Sequence, residues 1–178
     1  DARRRHGDTF AVHSGADRYL FTFSPTVVES FYALPEDEAS KGLAALLMLR
    51  RKLPDDQSRT EFLEAVWYES TRAGLDPGMV LGLIQVESAY RKYAISIAGA
   101  RGYMQVMPFW TKVIGDADRR KLFHMQTNLR YGCSILRMYI DIEKGNLYLA
   151  LGRYNGSRGR PAYPNAVLAA WKKWEFHE

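Results

Sequence analysis

MVLGLIQVESAYRK, Met79 to Lys92, is an almost wholly apolar run that carries one acid, Glu87, followed at once by Ser88. Asp76 can cap a helix that starts here, and Pro77 suits its first turn. Val80, Leu83, Ile84 and Glu87 then stand seven, four and three positions apart along a helix running to about Tyr90, so they share one face. Glu87 therefore belongs to the apolar stripe. A carboxylate there loses hydration, which raises its pKa. It also lies near the C-terminal end of its helix, where the dipole disfavours negative charge. Both effects favour the protonated form near neutral pH, which is what a general acid requires. The same pattern also fits a structural glutamate satisfied by Arg91, one turn on, or by a tyrosine, and periodicity does not choose between the two.

Working outward, SRTEFLEAVWYESTRAGL precedes this helix. Ser58 and Glu61 form a capping-box pattern, Phe62, Val66 and Trp67 a core face, and Gly74 the stop. Further upstream, PEDEASKGLAALLMLRRKL predicts a helix beginning at Pro35 and stopped by Pro54, with acids at its start and bases at its end. RYLFTFS, Arg18–Ser24, alternates roughly and predicts one short strand. The first fifteen residues read as a loose polar arm. Downstream, NLRYGCSILRMYIDIEKG puts Leu129, Cys133, Leu136 and Ile140 on one helical face, with Gly145 as the stop. NLYLALGRYNG predicts a shorter helix from near Asn146 to near Gly156. PNAVLAAWKKWEF predicts the last, with Val167, Trp171 and Trp174 as its buried stripe. The expected fold is mainly α: a helical domain over residues 56–178 behind a partly irregular extension, residues 1–55.

The 178 residues suffice for one domain with a real core. At 47% hydrophobic and 25% charged, the chain is ordinary for a globular protein, and no apolar run reaches the ~20 residues of a membrane helix. It begins DARRRHGDTF with no apolar core behind the arginines, so a secretory signal is expected to be absent or already removed. Cys133 is alone, which rules out an internal disulfide. The four histidines show no metal-ligand spacing, and neither a metal nor a cofactor is expected. The net charge of +5 suits an anionic polymer as partner. No helix carries a dense basic face with base-reading residues, which argues against nucleic acid.

After Glu87, a loop rich in small residues contains Ser96, Gly99, Ala100 and Gly102, and exposes backbone N–H groups. Gln105 offers both donor and acceptor. LGRYNG places Tyr154 and Asn155 at a helix end, although YNG is also ordinary turn chemistry and Met104 and Met107 also fit a core. Taken together, VESAY, AISIAGARGYMQVMP and LGRYNGSRG resemble, in order and spacing, the three signature segments of the lytic transglycosylases of the SLT type. The resemblance covers roughly Leu75 to Trp174. It implies a lysozyme-like α fold and cleavage of the bacterial cell-wall glycan. It implies Glu87 as the acid and base, Ser88 beside it as a substrate contact, and Ser96 near the N-acetyl group of the sugar. It implies Met104 and Gln105 along the substrate groove, and Tyr154, with Asn155, close to the acid and hydrogen-bonded to it. The sequence departs from the family at Tyr103, where leucine is usual, at Arg153, and in GSRGRPAYP. Tyr103 then offers a stacking surface for a sugar, and Arg153, Arg158 and Arg160 offer partners for substrate carboxylates.

The resemblance further implies a one-acid mechanism that forms 1,6-anhydro-N-acetylmuramic acid (MurNAc), in place of the two carboxylates of an ordinary glycosidase. The expected partners are peptidoglycan strands and an envelope-associated machine, the expected state a monomer, and the expected place the periplasm or outer membrane of a Gram-negative bacterium. A goose-type lysozyme-like muramidase is the nearest rival and needs a water-activating acid, for which Asp116, Asp118 and Asp141 are the candidates. A non-catalytic glycan-binding module is the rival from another class.

Overall fold

A computed structural model describes residues 9–14, 17–22, 45 and 48–174. The chain divides into two compact units, Asp1–Thr60 and Glu61–Glu178. In the first, β1 (Thr9–Ser14) and β2 (Asp17–Thr22) pair antiparallel, with Thr9 opposite Thr22 and Ser14 opposite Asp17. The strand expected over Arg18–Ser24 is thus half of a hairpin, and its partner lies in the stretch read as a loose arm. TFAVH and RYLFT are both rich in β-branched and aromatic residues, the composition that suits a ladder. Of the helix expected from Pro35, Ala45, Met48 and Leu49 are helical, Arg50–Lys52 turn, and most of its other residues lie outside the described ones.

Helix α1 spans Asp56–Arg72. Its first turn is capped by Asp55, whose carboxylate accepts from the Ser58 N–H at 2.7 Å. The expected capping box is therefore shifted: Ser58 lies inside the helix and Asp55, after Pro54, does the capping. Phe62 and Val66 are buried as expected, and Trp67 is only half-buried. The same helix buries Glu69 completely. One carboxylate oxygen of Glu69 accepts from Arg72 Nε at 2.8 Å and the other from Arg130 at 3.0 Å, which ties α1 to α4.

Helix α2, Pro77–Ser88, starts as the sequence predicts: Asp76 accepts from the Met79 N–H at 2.7 Å and Pro77 fills the first turn. Met79, Val80, Leu81, Leu83 and Ile84 are buried. The helix ends two residues before Tyr90, because Ala89 (φ 50°) and Tyr90 (φ 65°) turn left-handed. The Tyr90 hydroxyl reaches back to the Leu81 carbonyl at 3.1 Å. A short α3 (Trp110–Ile114) and a 3₁₀ turn (Arg119–Phe123) lead to α4 (Met125–Ile142), where Leu129, Cys133, Leu136 and Ile140 are buried as the spacing predicts. Cys133 Sγ lies 4.0 Å from Met104 Sδ.

Helix α5 (Leu147–Asn155) is capped by Asn146 and closed by left-handed Gly156. Helix α6 spans Ala162–Trp171, with a 3₁₀ turn, Lys172–Trp174, after it. Val167 and Trp174 are buried, whereas Trp171 is half-buried. Its backbone is what α2 packs against: a Cβ added at Gly82 would lie 2.7 Å from Trp171 N and 2.9 Å from its Cα. Gly82→Ala should therefore push α2 and α6 apart and cost about 1–3 kcal/mol. Denaturant unfolding tests this, and an unchanged midpoint would mean the crossing is not tight.

Candidate active site

Glu87 sits at the end of α2, half-buried. Its Oε1 accepts from the Tyr163 hydroxyl of α6 at 2.5 Å. Burial pushes the Glu87 carboxyl up from 4.5 to about 7, against the opposing pull of the Tyr163 hydrogen bond. Burial, and then the neighbouring Glu87 charge, push the Tyr163 hydroxyl far above its ordinary value, so it stays a donor. Arg91, the alternative partner, is exposed and donates instead to the Ser88 carbonyl at 3.0 Å. The α2–α6 crossing at Gly82 thus also brings Tyr163 to Glu87. Nothing local in PAYP marks Tyr163 as the partner of Glu87, since the two meet only across the helix crossing.

Because the folded pKa of Glu87 is raised, the native state holds a proton that the unfolded chain has released. This group's contribution to stability is complete below pH 4.5 and is lost as the pH climbs to about 7. Subtracting the unfolding free energy of Glu87→Gln from that of the wild type should give a difference that declines across this window and levels off above it. Chemical denaturation at a series of pH values measures this; a flat difference would contradict the desolvation of Glu87.

Residues 94–106 fold back on themselves through bridges that pair Arg101 with Ile95 and with Val106. Ser96 is half-buried; its Oγ accepts from the Ala100 N–H at 3.0 Å, which leaves its own proton to donate. Gln105 is half-buried in a left-handed conformation (φ 49°), and its amide nitrogen donates to the carbonyls of Gly102 and Ala94 at 2.9 and 3.2 Å. Buried Asn128 of α4 holds the loop. Its Oδ1 accepts from the Met104 N–H, and its Nδ2 donates to the carbonyls of Arg101 and Leu122, each at 2.8 Å. Only glycine fits at 102: its φ is +76°, and a Cβ would lie 2.4 Å from Asn128 Nδ2.

Several residues expected at the substrate lie inside the fold. Ser88 is buried and its hydroxyl donates to the Ile84 carbonyl at 3.2 Å, so it is part of the helix interior. Tyr103 is buried with its ring centroid 4.8 Å from that of Phe62, which makes it a core residue and no stacking surface. Met104 is fully buried beneath the loop. Tyr154 does not hydrogen-bond Glu87: its hydroxyl donates to the Met104 carbonyl at 2.8 Å. It is nevertheless near the acid, since after burial the Glu87 charge is the next cause raising its pKa. Asn155 is exposed at the end of α5. Arg153 and Arg158 are committed to Glu143, and Arg160 is exposed. The three candidate second acids lie on the surface beside basic partners: Asp116 with Lys121, Asp118 with Arg120, and Asp141 with Arg137. Among the described residues, no group of three His, Cys, Asp or Glu side chains is placed to hold a metal.

The helical domain thus holds a half-buried carboxyl raised to about 7 and a loop pinned by Asn128. Residues 64–174 match the transglycosylase SLT domain model, and the chain belongs to that family. Its relatives include the membrane-bound lytic murein transglycosylase C of Mannheimia succiniciproducens, 46% identical over 98 residues, which are 51% of this chain and 26% of that protein. The protein of the same name from Actinobacillus pleuropneumoniae serotype 5b is 37% identical over 94 residues, 52% of this chain and 24% of its own length. The chain thus spans about a quarter of the curated relatives it matches. Among solved structures, an inactive mutant of lytic transglycosylase Slt from Pseudomonas aeruginosa has a TM-score of 0.59 at 21% identity, covering 83% of this chain and 31% of that one. That likeness establishes the shared lysozyme-like helical fold.

Proposed function

We propose that the chain is a peptidoglycan lytic transglycosylase that cleaves the β-1,4 bond between MurNAc and N-acetylglucosamine, with Glu87 as its sole acid and base. The observation that carries this reading is the Glu87 carboxyl, raised to about 7 and hydrogen-bonded by Tyr163. Protonated Glu87 gives its proton to the bridging oxygen as the C1–O bond breaks. The substrate's own N-acetyl oxygen stabilises the cation-like sugar, held by the free proton of Ser96. Glu87, now a carboxylate, takes the proton of the C6 hydroxyl, and that oxygen closes on C1 to give the 1,6-anhydro ring. The internal nucleophile gains effective concentration worth about 7–11 kcal/mol at best. Gln105 and Asn155 are the remaining polar contacts for the sugar, beside Tyr154.

Pairing of Asp116, Asp118 and Asp141 with surface bases supports the ring-closing route over hydrolysis, because each is held by a cation away from the task of activating water. The basic net charge suits an acidic wall polymer. The family and the relatives' names support action at the bacterial envelope, in the periplasm or at the outer membrane; among the described residues, no helix is long and apolar enough to cross a membrane. Mass spectrometry of fragments released from purified murein tests the reading. Anhydro ends, lighter by one water than hydrolysed ends, are expected; reducing ends would make the enzyme a muramidase, and no release would favour a glycan-binding module.

A further inference from the structure

The loop between α5 and α6, residues 156–161, is anchored by one carboxylate. Glu143 lies just beyond α4 with its side chain 6% exposed. Its Oε1 accepts from Arg153 Nε of α5 and, at 2.7 Å, from Arg158 Nε of the loop. Its Oε2 accepts from Arg158 Nη2 at 3.0 Å, which makes the Arg158 contact bidentate. The two guanidiniums pull the Glu143 carboxyl down to about 2, so it stays ionised across the working range. The loop is also pressed onto α5: the Ser157 N–H donates to the Gly152 carbonyl at 2.7 Å, and a Cβ on Gly152 would lie 2.9 Å from Arg158 Cα. Tyr163 follows only five residues after Arg158, through a proline. Little slack remains between the anchor and the hydroxyl that meets Glu87.

We infer that the Arg153–Glu143–Arg158 clamp positions the acid's partner: it fixes the start of α6 and thereby holds the Tyr163 hydroxyl on Glu87. Its catalytic meaning rests on the transglycosylase reading above, but its structural content does not. Glu143 is a positioning residue, since its carboxylate is bound by Arg153 and Arg158 of this chain. The titratable groups that bear on Glu87 from the packed helices are the hydroxyls of Tyr163 on α6 and Tyr154 on α5.

Carbon-13 carboxyl titration of Glu87, assigned with Glu87→Gln, tests the clamp without any substrate. Losing the Tyr163 bond removes an interaction that lowers the Glu87 pKa, so Tyr163→Phe should raise the midpoint by about 0.5–1 pH unit. Glu143→Gln should raise it in the same direction. Charge alone predicts the opposite, because deleting a nearby negative charge lowers a carboxyl pKa. In the Tyr163→Phe background, Glu143→Gln should add nothing; with Tyr163 present, Glu143→Asp should shift the midpoint less than Glu143→Gln does. A fall, no change, or an equal shift in both backgrounds overturns the clamp. Should Glu143→Gln not fold, Arg158→Gln at the exposed end of the clamp carries the same test. There, a rise that vanishes in the Tyr163→Phe background supports the inference, and one that persists defeats it. Coupling without murein cleavage would leave the clamp standing and remove only the proposed function.

Discussion

Glu87→Gln is expected to reduce fragment release from murein by about 10²–10⁴-fold while leaving the protein folded. The amide is nearly isosteric with the carboxyl and keeps an oxygen to accept from Tyr163. Its neutrality suits a position that already favours the uncharged form. What it lacks is a proton to give and a lone pair basic enough to take one back. The loss should appear in kcat, with KM little moved, because the glycan contacts assigned to Ser96, Gln105 and Asn155 are untouched. In the wild type, the acid role requires protonated Glu87, so the rate should fall as the pH rises through about 7. Dye release from labelled sacculi, read against far-UV circular dichroism, measures both. Equal release by wild type and a folded Glu87→Gln variant would remove Glu87 from the chemistry.

Asn128→Leu should be the most damaging single change to the loop. Leucine is similar in size but makes no hydrogen bond, so the Met104 N–H and the carbonyls of Arg101 and Leu122 lose their partner in or near the core. Each stranded group costs about 1–3 kcal/mol, so about 3 kcal/mol or more is expected in total. A domain of this size then loses roughly 6–12 °C in melting temperature. Asn128→Asp is informative beside it. It keeps an acceptor for Met104 but turns a carboxylate oxygen toward two carbonyls, so it should recover stability only in acid, where a protonated carboxyl can donate. Thermal melts at pH 4 and 8 check this. A loss below about 1 kcal/mol for Asn128→Leu would show that the loop is held by something else.

Local signals carried the reading of α2. Asp76 and Pro77 mark its start, and the spacing of Val80, Leu83 and Ile84 puts Glu87 on the stripe; both features are written within one helical length. Ser88, four positions after Ile84, lies on the buried side of the helix, whereas the motif suggests a place beside the substrate. Tyr163 was illegible because it meets Glu87 across 76 positions, and that meeting depends on a helix crossing set by Gly82 and Trp171. The loop shows the same limit. That Met104 and Tyr103 point inward while Gln105 turns left-handed follows from the grip of Asn128, 24 residues past Met104. At the N-terminus, the charged start of the chain concealed TFAVH, whose strand character becomes evident only with β2 alongside.

The burial of Cys133 against Met104 has a practical outcome. It is the chain's single thiol, fully enclosed, and its pKa is pushed up to about 12. Thiolate is the reactive species, so at neutral pH maleimides should pass it by. A cysteine placed at exposed Val113 would then accept a fluorophore in the otherwise native background, with no cysteine-free parent to build first.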